Sequence, residues 1–207
     1  SAVGATLDGA SLVQTSLTGA ILNGASMVGV TGRYASLANA TIDGADLTNA
    51  NLVWSNFDNA TAWGVNLTGA SITDSSFNRT KFEGADLAGA TFTRSKMGNV
   101  NLRAANLTGA DVSYTDMTAA NLWYSDFTNA DLTGAVLTDA SGWNVKMSGA
   151  DLTGAVMTRS GPYLAGFFHV SDISGADLTG ADLSGVDFSN ARMHGARQRS
   201  WTRWSPG

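Results

Sequence analysis

The sequence predicts an all-β solenoid, in which short extended pieces and turns coil around one continuous core. Three observations carry that reading. A large apolar residue recurs every five positions, a small residue stands two places before it, and a turn-forming residue closes each unit. From Leu7 to Phe167, in steps of five, 29 of the 33 positions are Leu, Ile, Val, Met or Phe. The exceptions are Gly32, Ala62, Gly142 and Pro162. From Ala5 to Ala165, every small position is Ala, Ser, Thr or Val. All six Met and seven of the eight Phe occupy the large position, and no Trp does. A period of five fits neither the 3.6 of a helix nor the 2.0 of a strand, so neither amphipathic element can account for residues 5–196.

Each unit reads in order as small residue, Asp or Asn, large residue, Thr, then Gly or Asn. Ala45-Asp46-Leu47-Thr48-Asn49, Ala105-Asn106-Leu107-Thr108-Gly109 and Ala176-Asp177-Leu178-Thr179-Gly180 are examples. The fifth place carries turn chemistry that tolerates positive φ. An extended piece followed by a turn every five residues must coil, with the small and the large side chain both inward. Successive coils then pair through backbone hydrogen bonds at about 4.8 Å, and stacking buries a continuous core. After Phe167 one extra residue intervenes, and the large positions resume at Ile173, Leu178, Leu183, Phe188 and Met193. The pattern ends at Gln198. The expected division is therefore a β-helix over 1–196, with a register shift near 168–172, and an Arg/Trp-rich cap or tail over 197–207.

These units resemble the pentapeptide repeat family, over about 190 of the 207 residues. The resemblance implies a right-handed quadrilateral parallel β-helix with four units, about twenty residues, per coil and about ten coils. Residues that recur at twenty agree with it: Tyr34 and Trp54; Trp123, Trp143 and Tyr163; Asp111, Asp131 and Asp151.

With the inward positions assigned to the core, function is expected in what points outward. The chain carries 12 Lys and Arg against 17 Asp and Glu, a net charge of −5. That balance gives no support to direct nucleic-acid binding. Charge is uneven: −2 over residues 1–100, −7 over 101–187 and +4 over 188–207. Asp111, Asp131 and Asp151 are expected in one acidic ladder, with Asp172 next after the inserted residue. Some members of the resembled family protect type II topoisomerases such as gyrase by imitating DNA, since an acidic rod attracts a basic DNA channel. Against this, eleven of the 17 acids occupy the Asp/Asn place of the unit, where the side chain caps a local turn.

A second candidate is aromatic. Trp63, Trp123, Trp143 and Tyr163 share one face, adjoined by Tyr124, while Tyr34, Trp54 and Tyr114 mark another. One account has a ring fold over the gap left by a small inward residue, as in Ala62-Trp63, Gly142-Trp143 and Pro162-Tyr163. The other is a flat aromatic ladder that binds a protein partner or, as an alternative, a glycan. The third candidate is the C-terminal end, with Arg192, Arg197, Arg199, Trp201, Arg203 and Trp204. It reads as a cap over an open β-helix edge, or as a docking point for another protein or an acidic coil of a second rod.

Catalytic signals are nearly absent. His169 and His194 have no Ser and Asp at a recognisable spacing, and no phosphate loop, metal-binding His pair or calcium loop occurs. The expectation is a non-enzymatic scaffold for protein–protein interaction or structural assembly, with no cofactor, no metal site and no catalytic residue. Its partner is an unidentified protein, with self-association end to end or side by side also open. There is no Cys, and no apolar run is long enough to span a membrane. The chain starts at Ser1 without a charged-then-apolar leader, so any targeting segment is expected to be missing already. A soluble chain is expected, with cytoplasmic and exported locations equally open.

Overall fold

A computed structural model describes residues 1–158, 171–186, 188 and 190–197. It is a right-handed, four-sided parallel β-helix. Each coil pairs with the next through parallel bridges at a separation of twenty, from Thr6 with Ser26 to Val136 with Val156. The pairing is reciprocal. The Leu7 N–H donates to the Ser26 carbonyl at 2.7 Å, and the Ser26 N–H donates to the Ala5 carbonyl at 2.8 Å.

Between faces the chain makes a four-residue turn, closed by bonds such as Ala45 N–H to the Ile42 carbonyl at 3.1 Å. The third residue of the turn has positive φ at every unit from Gly4 to Gly154, the signature of a type II turn. Gly and Asn fill most of these places, which explains the composition of the fifth position. Tyr34, Trp54, Tyr114 and Tyr124 also stand there, at φ of 55 to 64°. A bulky residue in that region carries backbone strain.

The Asp and Asn before each large residue cap these turns. Asp46 accepts from the Thr48 N–H at 3.0 Å, and Asp131 accepts from the Thr133 N–H at 2.8 Å. Inside, the large residues from Leu22 to Leu152 stack almost without solvent contact. Phe77 lies 4.9 Å from Phe57, 5.6 Å from Phe82 and 5.4 Å from Phe92, centroid to centroid. Ser55, Ser75 and Ser95 form a buried hydroxyl ladder: the Ser75 Oγ accepts the Ser55 N–H at 2.9 Å, and the Ser95 Oγ accepts the Ser75 N–H at 3.0 Å. The gap at Gly32 is filled from within. A Cβ built there would stand 2.6 Å from the Leu52 Cδ2, whereas Tyr34 remains 55% exposed. At this position the ring does not close the gap.

The register shift differs from the expected single residue. Lys146 pairs with Asp172, Asp151 with Asp177 and Val156 with Asp182, so one coil holds 26 residues rather than 21. The addition is one whole pentapeptide plus one residue, and it lies between Thr158 and Ser171. From Val156 to Asp172 the chain uses 16 residues where the preceding coil, from Val136 to Lys146, uses ten. Among the described residues, no helix is long and apolar enough to cross a membrane.

Candidate functional site

The outward surface is built from columns, because residues twenty apart lie one above another. In the acidic column, Thr91, Asp111, Asp131 and Asp151 follow in register, and the next residues are Asp177 and Arg197. Asp172 is not in this column. The longer coil places it under Lys146 and over Arg192, on the adjacent face. The ladder is thus four carboxylates closed by an arginine, and the expected fourth member is replaced.

These carboxylates are engaged in local structure. Asp111 accepts from the Ser113 N–H at 2.9 Å, the Ser113 hydroxyl at 2.6 Å and the Thr93 hydroxyl at 2.7 Å. Burial pushes the Asp111 carboxyl up, but these bonds and the nearby Arg94 outweigh it and hold it below the usual range. Asp172 is lowered by the N–H and hydroxyl of Ser174, with help from Arg192. The neighbouring faces are mixed in sign. Lys146 pairs with Asp126 at 3.0 Å, Arg94 with Asp74 at 2.7 Å and Arg103 with Glu83 at 2.8 Å.

The aromatic residues fall into two strips on diagonally opposite edges of the rod, half a coil apart. On one edge, Trp123 and Trp143 lie one coil apart with centroids 6.0 Å apart at 77°, and Tyr124 lies 6.2 Å from Trp143 at 31°. Edge-to-face contact replaces the expected flat ladder, as the ring quadrupoles favour. All three rings stay 40–43% exposed. The Arg103 guanidinium covers Tyr124, 5.6 Å from its centroid. Trp63 is not part of this cluster, although it occupies the same column. Glu83 and Arg103 stand between it and Trp123 and pair with each other, and Trp63 is met instead by Lys81 at 5.9 Å. On the opposite edge, Tyr34 and Trp54 stack at 5.2 Å and 13°, with Arg33 4.5 Å above Trp54. The flat stack is found there.

Of the C-terminal residues, Arg192 and Arg197 are placed as the last members of two columns. Tyr163, Arg199, Trp201, Arg203 and Trp204 lie outside the described residues, as do Pro162 and His169. Among the described residues, no group of three metal-ligating side chains occurs.

Comparison with known proteins follows the same lines. A family model described as pentapeptide repeats matches eight copies, over residues 3–31, 10–49, 50–89, 85–123, 124–159 and 171–197. Among solved structures, the chain is similar to QnrB1, described as a plasmid-mediated fluoroquinolone resistance protein. Identity is 17%, the match covers 95% of this chain and 90% of that one, and the TM-score is 0.52. It is also similar to HetL, a pentapeptide repeat protein involved in heterocyst differentiation regulation from the cyanobacterium Nostoc sp. strain PCC 7120. That match has 23% identity, coverage of 93% and 86%, and a TM-score of 0.36. A pentapeptide repeat protein from the Arabidopsis thaliana thylakoid lumen matches at 31% identity over 44% of this chain and 64% of its own, with a TM-score of 0.44. No curated protein matches the chain.

Proposed function

The chain belongs to the pentapeptide repeat family, and from that premise we propose that it is a non-catalytic scaffold that docks a protein partner on the Trp123–Tyr124–Trp143 cluster. In this reading residues 1–196 form one β-helical domain and residues 197–207 are a C-terminal cap or tail. One observation supports the site above the rest of the surface. Trp123 and Tyr124 both contact Trp143, and the three rings stay 40–43% exposed, whereas the inward Phe, Leu and Met side chains from Leu22 to Leu152 are buried. Tyr124 is also held at φ +64°, a strained placement of the kind that accumulates at functional positions. With Arg103 over Tyr124, the patch brings together Trp, Tyr and Arg, the residue types that dominate binding energy at protein interfaces. The fitting partner presents an apolar pocket for the Trp rings and a carboxylate or carbonyl oxygens for Arg103.

Site-specific photo-cross-linking tests this. A benzophenone amino acid at position 143 is expected to capture one discrete partner from the source cell, and the same group at Thr108 is not. Equal capture at both positions, or none at 143, removes the assignment.

A second reading, DNA mimicry toward a type II topoisomerase, rests on the column Asp111–Asp131–Asp151–Asp177. Every one of the first three also caps a turn, and the flanking charges are mixed, so the scaffold reading is preferred. Replacing Asp111, Asp131, Asp151 and Asp177 together by Asn keeps the capping oxygens and removes four charges. If mimicry operates, the unmodified protein inhibits or protects gyrase in a supercoiling assay, salt weakens the effect, and the quadruple variant loses it.

A further inference from the structure

On the edge opposite the Trp123 cluster, the outward side chains of successive coils form an ordered series. From the N-terminal side these are Tyr34, Trp54, Asp74, Arg94 and Tyr114, each one coil below the last. All five occupy the turn position with φ between 55 and 60°, where Gly or Asn would sit without strain. Trp54 lies against Tyr34, and Tyr114 lies over Gly134, whose absent Cβ would stand 2.7 Å from the Tyr114 Cε1. Tyr114 therefore leans away from the ion pair, toward Gly134. Asp74 and Arg94 are joined at 2.7–2.8 Å, yet the Arg94 side chain is 59% exposed. Tyr34, Trp54 and Tyr114 are 55%, 40% and 61% exposed.

From Trp54 to Tyr114 the strip reads aromatic, acid, base, aromatic. Reversed, it is aromatic, base, acid, aromatic. An identical strip running in the opposite direction thus sets ring against ring, carboxylate against guanidinium and guanidinium against carboxylate. A parallel copy would set like charge against like. A self-complementary surface of this kind closes on a two-fold axis and does not propagate.

We propose that this edge docks a second copy of the chain, antiparallel, with the two-fold axis passing between Asp74 and Arg94. Each Asp74 faces the second copy's Arg94, and each Trp54 faces the second copy's Tyr114. About that axis the matched residues run from Trp54 to Tyr114, three coil spacings or roughly 14 Å, and Tyr34 comes opposite Gly134 of the second copy. A contact of that length is at the small end for protein interfaces, so the dimer forms reversibly with concentration. Because the Trp123 cluster lies on the opposite edge, a dimer leaves it free, and the pairing does not depend on the docking reading above.

Charge reversal tests the proposal. Arg94 and Arg79 already occupy the turn place that Asp74 occupies, and Asp139 already occupies the place that Arg94 does, so both replacements suit the local backbone. Sedimentation velocity of the full chain, from low micromolar to several hundred micromolar, is expected to show a monomer–dimer equilibrium. Asp74→Arg places like charges opposite each other and is expected to weaken the dimer by at least about tenfold in Kd. The double variant Asp74→Arg/Arg94→Asp restores the complementary order and is expected to recover the dimer. Glu83→Arg, on the other edge, leaves it unchanged. A monomer at every concentration overturns the proposal. So does a dimer that survives Asp74→Arg, that fails to return in the double variant, or that is lost with Glu83→Arg.

Discussion

Phe77→Ala tests the core directly. The Phe77 side chain has no solvent exposure and contacts three other rings, those of Phe57, Phe82 and Phe92. Its removal forfeits the transfer of the ring from water, about 2 kcal/mol. The hole left is about 100 Å3, and at about 24 cal/mol per Å3 it contributes a further 2.4 kcal/mol if the walls hold still. They have little freedom to collapse, because the coils on either side are tied by backbone bonds such as Phe57 N–H to the Ser76 carbonyl and Phe77 N–H to the Lys96 carbonyl, both 2.7 Å. The expected loss is therefore about 4 kcal/mol. Thr108→Ala serves as the outward control. Thr108 is exposed and makes a 2.7 Å bond to the Asn106 side chain, so its loss should stay within about 1 kcal/mol. Guanidinium melts followed by circular dichroism give both values. A solenoid can melt in parts, so hydrogen exchange across the Phe77 coils should accompany them. Comparable losses for the two variants would refute the inward assignment.

Three further outcomes follow from local geometry. Ser75→Ala leaves the buried Ser55 N–H without its acceptor, so it should cost about 1–3 kcal/mol and speed exchange of the Ser55 amide; unchanged exchange would remove the ladder's role. Gly32→Ala forces Leu52 aside and should cost about 1–3 kcal/mol, with Leu52→Ala reducing that cost in a double-mutant cycle rather than adding to it. Asp111 has a folded-state pKa below its unfolded value. The stability it contributes is therefore complete above about pH 4 and is lost as pH falls through the folded pKa. Asp111→Asn should flatten the pH dependence of unfolding below that point; a slope identical to the parent's would contradict the assignment.

The five-residue period made the coil, the core and the turn position legible in the sequence. It worked because one short rule repeats some thirty times and every violation shows. The longer coil was hidden by that same regularity. A count in fives detects the single extra residue before Ile173 but not an added whole pentapeptide, which leaves the register of large positions intact. The bridges from Lys146 to Asp172, Asp151 to Asp177 and Val156 to Asp182 show it, and with it the exchange of Asp172 for Asp177 in the acidic column. The stacking of Trp123 with Trp143 and of Tyr34 with Trp54 in columns was legible from spacing alone. Their internal geometry was not, since ring tilt depends on rotamers that a column assignment leaves open. Trp123 and Trp143 met edge to face, while Tyr34 and Trp54 stacked flat. The interruption of the Trp63 column was present in the sequence as Glu83 and Arg103 at the intervening twenties. Its consequence rests on those two residues pairing with each other.

The central claim is that outward rings serve binding while inward residues hold the fold, and Trp123→Ala tests it with two readings on one protein. Trp123 follows an ordinary inward Leu122 and is 40% exposed, so no core gap explains it. The account predicts a guanidinium midpoint close to that of the parent, together with loss of the partner that cross-links at position 143. A variant that unfolds readily while its folded fraction still captures that partner would contradict it.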